Sequence, residues 1–165
     1  GTIESQRSIS FSSDGNSVES YDVYKVRGDK NGTGLFEFMA ANTTVEWSQA
    51  KTGIVGDKGL NFLTTSHYEG KEHGINRLYS GQLYAGYTIR EQNHIHPDNT
   101  PYPSGSFNHP QYGKAGEWGD VGASAWVVGD RQKRGLSNPT FRIYLPRSKS
   151  YINYGPKSIR SNYGK

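Results

Sequence analysis

The sequence contains 165 residues, of which 32% are hydrophobic, with a net charge of +4 and no cysteine. This low apolar content is typical of disorder, but 12 Tyr and 3 Trp spread along the chain supply large apolar surfaces and indicate a folded, aromatic-rich domain. The absence of cysteine excludes disulfides, a thiolate nucleophile and cysteine-ligated zinc, and no apolar run reaches the roughly 18 residues of a membrane span.

The first 30 residues predict edge strands or a hairpin. Ile9 and Phe11 alternate with polar residues, and Asp14-Gly15-Asn16 is typical of a turn. The glycines of residues 31–34 predict a further turn. The apolar run over residues 35–41 is too short to assign by periodicity.

Two strands are predicted in the next part of the chain. Residues 42–48 are rich in Thr, Val and Trp, which favours a strand with Glu46 inside it. Residues 53–59 predict a turn, and the alternation over residues 60–66 predicts a second strand. The polar residues 67–80 predict a short helix or a loop.

A further strand over residues 83–93 is predicted to end at His94-Ile95-His96-Pro97, because proline cannot continue a ladder of hydrogen bonds. Residues i and i+2 of a strand project to the same side, so both imidazoles can approach one metal ion. Such a pair alone is a weak signal, since two histidines on a polar strand are more often surface or hydrogen-bonding residues. A catalytic zinc site also needs a third ligand and a carboxylate as general base.

The segment after the histidines predicts a long loop and then regular structure. Residues 97–119 are rich in Pro and Gly, and loops of this length are usually functional or disordered. Apolar residues at helical spacing then predict a helix that begins near Asp120 and stops at Gly129. Strands are predicted at residues 140–145 and 150–154, followed by a frayed tail.

Five residues in chain order resemble the motif of the JAMM/MPN (JAB) metalloprotease family. The family pattern is an upstream Glu, a His-x-His-Pro segment, a Ser and an Asp, and the matching residues here are Glu46, His94, His96, Ser104 and Asp120. Within that family the chain looks most like the JAB-like toxin domains at the C-termini of bacterial polymorphic toxins. The resemblance covers roughly residues 35–155.

The resemblance implies a mixed α+β fold, with a central, mostly antiparallel β-sheet flanked by few helices in the JAB/MPN (cytidine-deaminase-like) architecture. We expect a single JAB-like domain over residues 1–165. Its predicted parts are N-terminal strands at 1–34, the family-like core at 35–155 and the frayed tail at 156–165. The start at Gly1 without methionine suggests a domain excised from a longer protein.

The resemblance also implies roles for the five residues. His94, His96 and Asp120 would ligate Zn²⁺, and Glu46 would orient and deprotonate the water bound to it. Ser104 would stabilise the oxyanion. The implied reaction is hydrolysis of a peptide or isopeptide bond. Without the resemblance, Glu46 is an ordinary strand residue, Asp120 a helix cap and Ser104 a turn residue.

The sequence departs from the family pattern in one place. In typical members the Asp follows the Ser by three residues, whereas here fifteen residues separate Ser104 from Asp120. Either the loop carries an insertion and Ser104 or Ser106 folds back, or Glu117 takes the place of the serine. Asn93 is a further candidate, as a residue that orients a metal ligand, but a residue at this position more often satisfies local backbone groups.

The expected partners follow by analogy. They are a protein or peptide substrate, ubiquitin-like or bacterial, and a neutralising immunity protein, for a soluble effector domain that is secreted or delivered. Nucleic acid is not expected as a partner. Two other interpretations stay open: a metal-dependent nuclease toxin that uses the same histidines with the basic cluster at 131–134, and a non-catalytic β-rich binding module. His67, His73 and His109 are expected to be bystanders.

Overall fold

The computed structural model describes residues 3–12, 14–105, 118–159 and 162–163. Ser106, Glu117 and His109 lie outside these residues. The described residues form one seven-stranded sheet, and its strands are β1 Ile3–Phe11, β2 Glu19–Arg27, β3 Ser48–Thr52, β4 Leu60–Thr65, β5 Ile89–Ile95, β6 Thr140–Leu145 and β7 Ser150–Tyr154. The helices are α1 Asp29–Asn42, α2 Gly74–Leu78 and α3 Gly119–Lys133, with a π-helical turn at Tyr79–Leu83 after α2.

The sheet has the strand order β1-β2-β4-β3-β5-β6-β7. Among the described strands every neighbouring pair is antiparallel except β5 and β6, which are parallel. A parallel pair requires a crossover connection, and here the crossover contains α3. The predicted mixed α+β class with a mostly antiparallel sheet is confirmed.

Each face of the sheet has its own hydrophobic core, because successive strand residues project to opposite faces. On the α1 face, Phe36 and Ala40 of α1 pack with a cluster that includes Leu63 and Tyr144. On the α3 face, Val127 of α3 joins a cluster that includes the buried residues Ala50, Phe62, Leu78, Leu83 and Phe141. Aromatic residues contribute to both cores, as the composition predicts.

The predicted turn at residues 31–34 and the predicted strand over residues 42–48 are wrong, because α1 runs from Asp29 to Asn42 and β3 begins only at Ser48. Glycine is a poor helix former, but tertiary packing overrides propensity. A Cβ atom at Gly32 would overlap the Asn61 side chain of β4, so glycine allows α1 to approach the sheet closely.

Two other predicted boundaries differ from the structure. The strand predicted from residue 83 begins at Ile89, because Leu83 ends the π-helical turn and is buried in the core of the α3 face. Helix α3 continues past Gly129 to Lys133, since nothing obstructs the helix there and Arg131 is buried. The N-terminal hairpin, the strand at residues 60–65 and the two C-terminal strands are confirmed.

Candidate metal centre

The two histidines lie side by side at the end of β5. Both are buried, and their Nε2 atoms are 3.1 Å apart. The strand is held on both sides there, because the Ile95 amide donates to the Trp47 carbonyl (2.9 Å) and the His96 amide donates to the Tyr144 carbonyl (3.2 Å). The i, i+2 spacing therefore places both imidazoles on one side of the sheet, as the sequence predicts.

Asp120 reaches both histidines from the first turn of α3. Its Oδ1 atom is 3.2 Å from His94 Nε2, and its Oδ2 atom is 3.2 Å from His96 Nε2. The crossover from β5 to β6 thus brings the start of α3 back to the C-terminal end of β5. Three candidate ligand atoms meet at one point, all within 4.8 Å of one another.

The spacing of these atoms fits a zinc ion. Zinc–nitrogen and zinc–oxygen bonds of roughly 2.0–2.1 Å in a tetrahedron imply ligand atoms about 3.3 Å apart, close to the observed 3.1 and 3.2 Å. The other ring nitrogens have their own partners. His96 Nδ1 lies 2.9 Å from the Thr100 carbonyl, and His94 Nδ1 lies 3.3 Å from the Tyr154 hydroxyl.

These outer contacts favour the tautomer that a metal needs. A carbonyl oxygen can only accept, so the His96 Nδ1 atom carries the proton that is donated to Thr100. In the neutral imidazole that a metal requires, this contact places the lone pair on Nε2, the atom that faces Asp120 and His94. Thr100 and Tyr154 were not singled out by the sequence, because one follows a predicted loop start and the other lies in an ordinary strand pattern.

The charges of the three groups are coupled. Burial opposes ionisation of His96, but the adjacent Asp120 carboxylate raises its pKa to about 9. Burial likewise opposes ionisation of Asp120, but the two imidazoles hold the pKa of this carboxyl well below its ordinary value. A positive ion between them would interact with a carboxylate that is already ionised.

Ser104 lies directly against Asp120 despite the long separation in sequence. Its backbone amide donates to Asp120 Oδ2 at 2.8 Å, and its Oγ atom accepts from the Asp120 amide at 3.0 Å. The backbones of Gly105 and Gly119 lie so close together that a Cβ atom at Gly119 would overlap the backbone of Gly105. We call this close approach of the two glycines the neck. This geometry agrees with the interpretation that the loop carries an insertion and that Ser104 folds back.

Glu46 lies in the segment between α1 and β3, not inside a strand as predicted. Its amide donates to the Tyr68 carbonyl at 2.8 Å, and its carbonyl accepts from Thr65 Oγ1 at 2.9 Å. Burial raises the pKa of its carboxyl to about 8; the positive charge of His96 lowers this pKa and the negative charge of Asp120 raises it.

A cavity of about 510 Å³ opens on the α3 face beside these groups. Its lining includes all five residues of the predicted motif: Glu46, His94, His96, Ser104 and Asp120. The structure therefore brings them to one concave surface, where a substrate would meet the candidate metal ligands and the buried carboxyl together.

The side chain of Asn93 points away from this centre. Its carboxamide donates to Gln49 Oε1 (3.1 Å) and Glu91 Oε2 (3.0 Å) and accepts from Arg142 Nε (3.3 Å). Asn93 alternates with His94 along β5, so these partners lie on the α1 face whereas the histidines project to the α3 face. The hydrogen bonds of Asn93 join the strands rather than orient a metal ligand.

The remaining described histidines lie apart from the ligand cluster. His67 Nε2 pairs with Asp22 at 2.8 Å, and His73 contacts the Tyr68 ring edge on, in the wall of the cavity.

Two of the three cations in the basic cluster at residues 131–134 are engaged within the protein, whereas Lys133 is exposed. Only 1% of Arg131 is exposed, and its guanidinium donates to the carbonyls of Ser137 and Tyr87. Arg134 pairs with Asp130 at 2.6 Å. A phosphate-binding surface needs solvent-facing cations, so these contacts weaken the nuclease interpretation.

The part of the chain that matches a known protein family includes the same five residues. The family model described as JAB-like toxin 1 matches residues 24–125, a range that includes every residue of the motif. No curated protein and no solved structure matches the chain. Among the described helices, none is long and apolar enough to cross a membrane. Because the match covers more than half of the sequence and the motif residues meet in space, this chain belongs to the JAB-like toxin 1 family.

Proposed function

We propose that this toxin domain is a zinc-dependent hydrolase that cleaves a peptide or isopeptide bond. The observation that supports this proposal is the arrangement of two imidazoles and a carboxylate at tetrahedral spacing, with a second, buried carboxyl in the same cavity. His94, His96 and Asp120 would hold the metal. Three protein ligands leave a fourth position of the tetrahedron for a water or a substrate.

Zinc bound there would supply Lewis acidity that lowers the pKa of a water molecule towards 7. Glu46 would accept a proton from the attacking water at its carboxylate and pass it to the nitrogen of the leaving amine. A general acid–base group works best when its pKa lies near the working pH, and burial brings the pKa of Glu46 to about 8.

Ser104 is the proposed donor to the substrate carbonyl oxygen. Its Oγ atom already accepts from the Asp120 amide, so its own hydroxyl proton stays available. The hydroxyl lies beside a proposed metal ligand and lines the cavity, where negative charge would develop on the substrate oxygen.

The proposed substrate is a protein of the target cell. By analogy, an immunity protein would cover the cavity in the producing cell.

Zinc titration of the purified domain tests the proposal. We expect one zinc ion per chain, and loss of this binding in His94→Ala and His96→Ala. Glu46→Gln should retain zinc but lose about 10²- to 10⁴-fold in turnover of an isopeptide-linked ubiquitin dimer or of unfolded bacterial proteins. The matched control is Glu69→Gln, which makes the same change at an exposed residue of the cavity wall and should retain turnover.

Two results would overturn this function. One is a folded wild-type protein that takes up no zinc, which would favour the non-catalytic binding module. The other is nucleic-acid cleavage that persists in Glu46→Gln and falls with salt, which would favour the nuclease.

A further inference from the structure

The floor of the cavity contains two buried polar groups that no part of the proposed mechanism uses. Ser48 and Gln92 are 1% and 6% exposed, and both residues line the cavity. Neither Ser48 Oγ nor Gln92 Nε2 has a hydrogen-bond partner among the described residues. An unpaired buried donor costs roughly 1–3 kcal/mol, so such a group in a folded protein requires an explanation.

Both residues are neighbours of a metal ligand. Ser48 is directly opposite His94 in the antiparallel pairing of β3 with β5. Gln92 precedes His94 by two residues on the same strand and therefore projects to the same α3 face. The two donors are thus neighbours of His94, Ser48 across the strands and Gln92 along β5.

On the opposite face of the same strands, the buried side-chain amides form hydrogen bonds with one another. Gln49, the residue after Ser48, donates to Asn61 Oδ1 at 2.9 Å and accepts from Asn93, the residue after Gln92. Asn61 in turn donates to the Gly28 carbonyl. The two neutral side-chain donors that stay unpaired on these strands, Ser48 Oγ and Gln92 Nε2, both lie on the side that faces the cavity. The unpaired Arg90 Nε of β5 belongs to a guanidinium whose other nitrogens bind Asp29.

We propose that Ser48 and Gln92 bind the main chain of the substrate, by donating hydrogen bonds to carbonyl oxygens of an extended peptide segment beside the scissile bond. This inference rests on the proposed function. A hydroxyl and a carboxamide N–H are donors, and carbonyl oxygens are the acceptors of a peptide main chain. Both atoms are shielded in the free protein, so rotation about a side-chain torsion accompanies binding.

The donors are tested by peptide binding in a protein that cannot turn the peptide over. A library of capped hexapeptides is passed over zinc-treated Glu46→Gln protein, and the retained peptide is titrated by calorimetry. Adding Ser48→Ala or Gln92→Met should weaken its binding about 3- to 10-fold each, the range that one lost hydrogen bond gives.

Ser124→Ala is the matched control. Ser124 is also a buried serine in the cavity wall, but its hydroxyl donates to the Val121 carbonyl at 2.8 Å. Ser124→Ala should lower the midpoint temperature of thermal unfolding and leave the affinity for the peptide unchanged. Ser48→Ala and Gln92→Met should leave the midpoint unchanged or raise it, because neither removes a hydrogen bond of the free protein.

Equal affinity of all variants for the peptide, or no retained peptide, would overturn the inference. The proposed function is judged separately, by whether wild-type protein cleaves the same peptide. If binding depends on Ser48 and Gln92 but the peptide is not cleaved, the proposed hydrolase function is contradicted and the peptide-binding site is supported. If the peptide is cleaved and neither substitution affects its cleavage or binding, the hydrolase function is supported and the peptide-binding site is contradicted.

Discussion

Ser104 and Asp120 are sixteen positions apart in the chain and form two reciprocal hydrogen bonds. The Ser104 amide donates to the Asp120 carboxylate at 2.8 Å, and the Asp120 amide donates to the Ser104 hydroxyl oxygen at 3.0 Å. One contact orients the proposed metal ligand, and the other supplies an acceptor for an amide in the first turn of α3, which has no partner within the helix. The serine is therefore linked both to the stability of α3 and to the centre.

Replacement of Ser104 by alanine removes the hydroxyl but keeps the amide that contacts Asp120, and it should affect both stability and turnover. Loss of the acceptor at the start of α3 should cost about 1 kcal/mol in the free energy of unfolding, the value typical of a lost N-terminal cap. Turnover should fall by about 10²- to 10³-fold, since the substrate oxygen loses its donor. Urea unfolding and steady-state kinetics measure the two effects.

Ser104→Thr is the control for this prediction, because it keeps the hydroxyl. It should recover most of both losses. A Ser104→Ala protein that is less stable but turns substrate over at the wild-type rate would limit Ser104 to the structural role.

Gly119 should not tolerate a side chain. Its φ is +46°, a left-handed conformation, and a Cβ atom there would overlap the Gly105 backbone. Gly119→Ala should lower the free energy of unfolding by at least about 2 kcal/mol and weaken zinc binding, because it displaces the start of α3 and with it Asp120. Chemical denaturation and zinc titration test this prediction.

Gly129→Ala makes the same substitution within α3, where nothing lies within 4 Å of the added Cβ atom. It should raise the free energy of unfolding by up to about 1 kcal/mol, the difference in helix propensity. Equal effects of the two substitutions would contradict the claim that the neck between Gly105 and Gly119 positions the centre.

The ion pair of Asp29 with Arg90 should contribute stability that acid removes. Its two contacts measure 2.8 and 2.9 Å. Burial opposes ionisation of Asp29, but Arg90, the Gly56 amide and Asn61 lower its pKa to about 2 from the ordinary 3.8. Because the pKa is depressed in the folded state, the contribution is complete above pH 4 and is lost as the pH falls towards 2.

A shift of this size corresponds to roughly 2 kcal/mol. Both side chains are less than one fifth exposed, so solvent screens the pair only in part. Asp29→Asn should therefore be less stable than wild type by about this amount at pH 7 and by much less at pH 2, as measured by urea unfolding at each pH. A gap between the two proteins that stays constant from pH 7 to pH 2 would contradict the prediction.

The sequence predicted those parts of the fold that depend on local pattern. Alternation predicted the strand at residues 60–66, which the structure places at Leu60–Thr65, and the run before Pro146 predicted the strand at residues 140–145. The i, i+2 spacing placed His94 and His96 on one side of a strand. Prediction from the sequence failed where packing opposes local preference. Two glycines in residues 31–34 predict a turn, but Gly32 forms helix because only glycine lets α1 lie this close to Asn61.

The site residues lie close together only because of the tertiary structure. Periodicity fixes which side of a strand a residue faces, but it carries no information about where a chain returns after a long loop. The contact of Ser104 with Asp120 depends on the close approach of two glycine backbones, and Glu46 is held by the main chain of Thr65 and Tyr68 outside any strand. The sequence by itself thus determined the kinds of donor atom and the family motif, whereas only the folded chain decided that these atoms surround one point, because that requires contacts between distant segments.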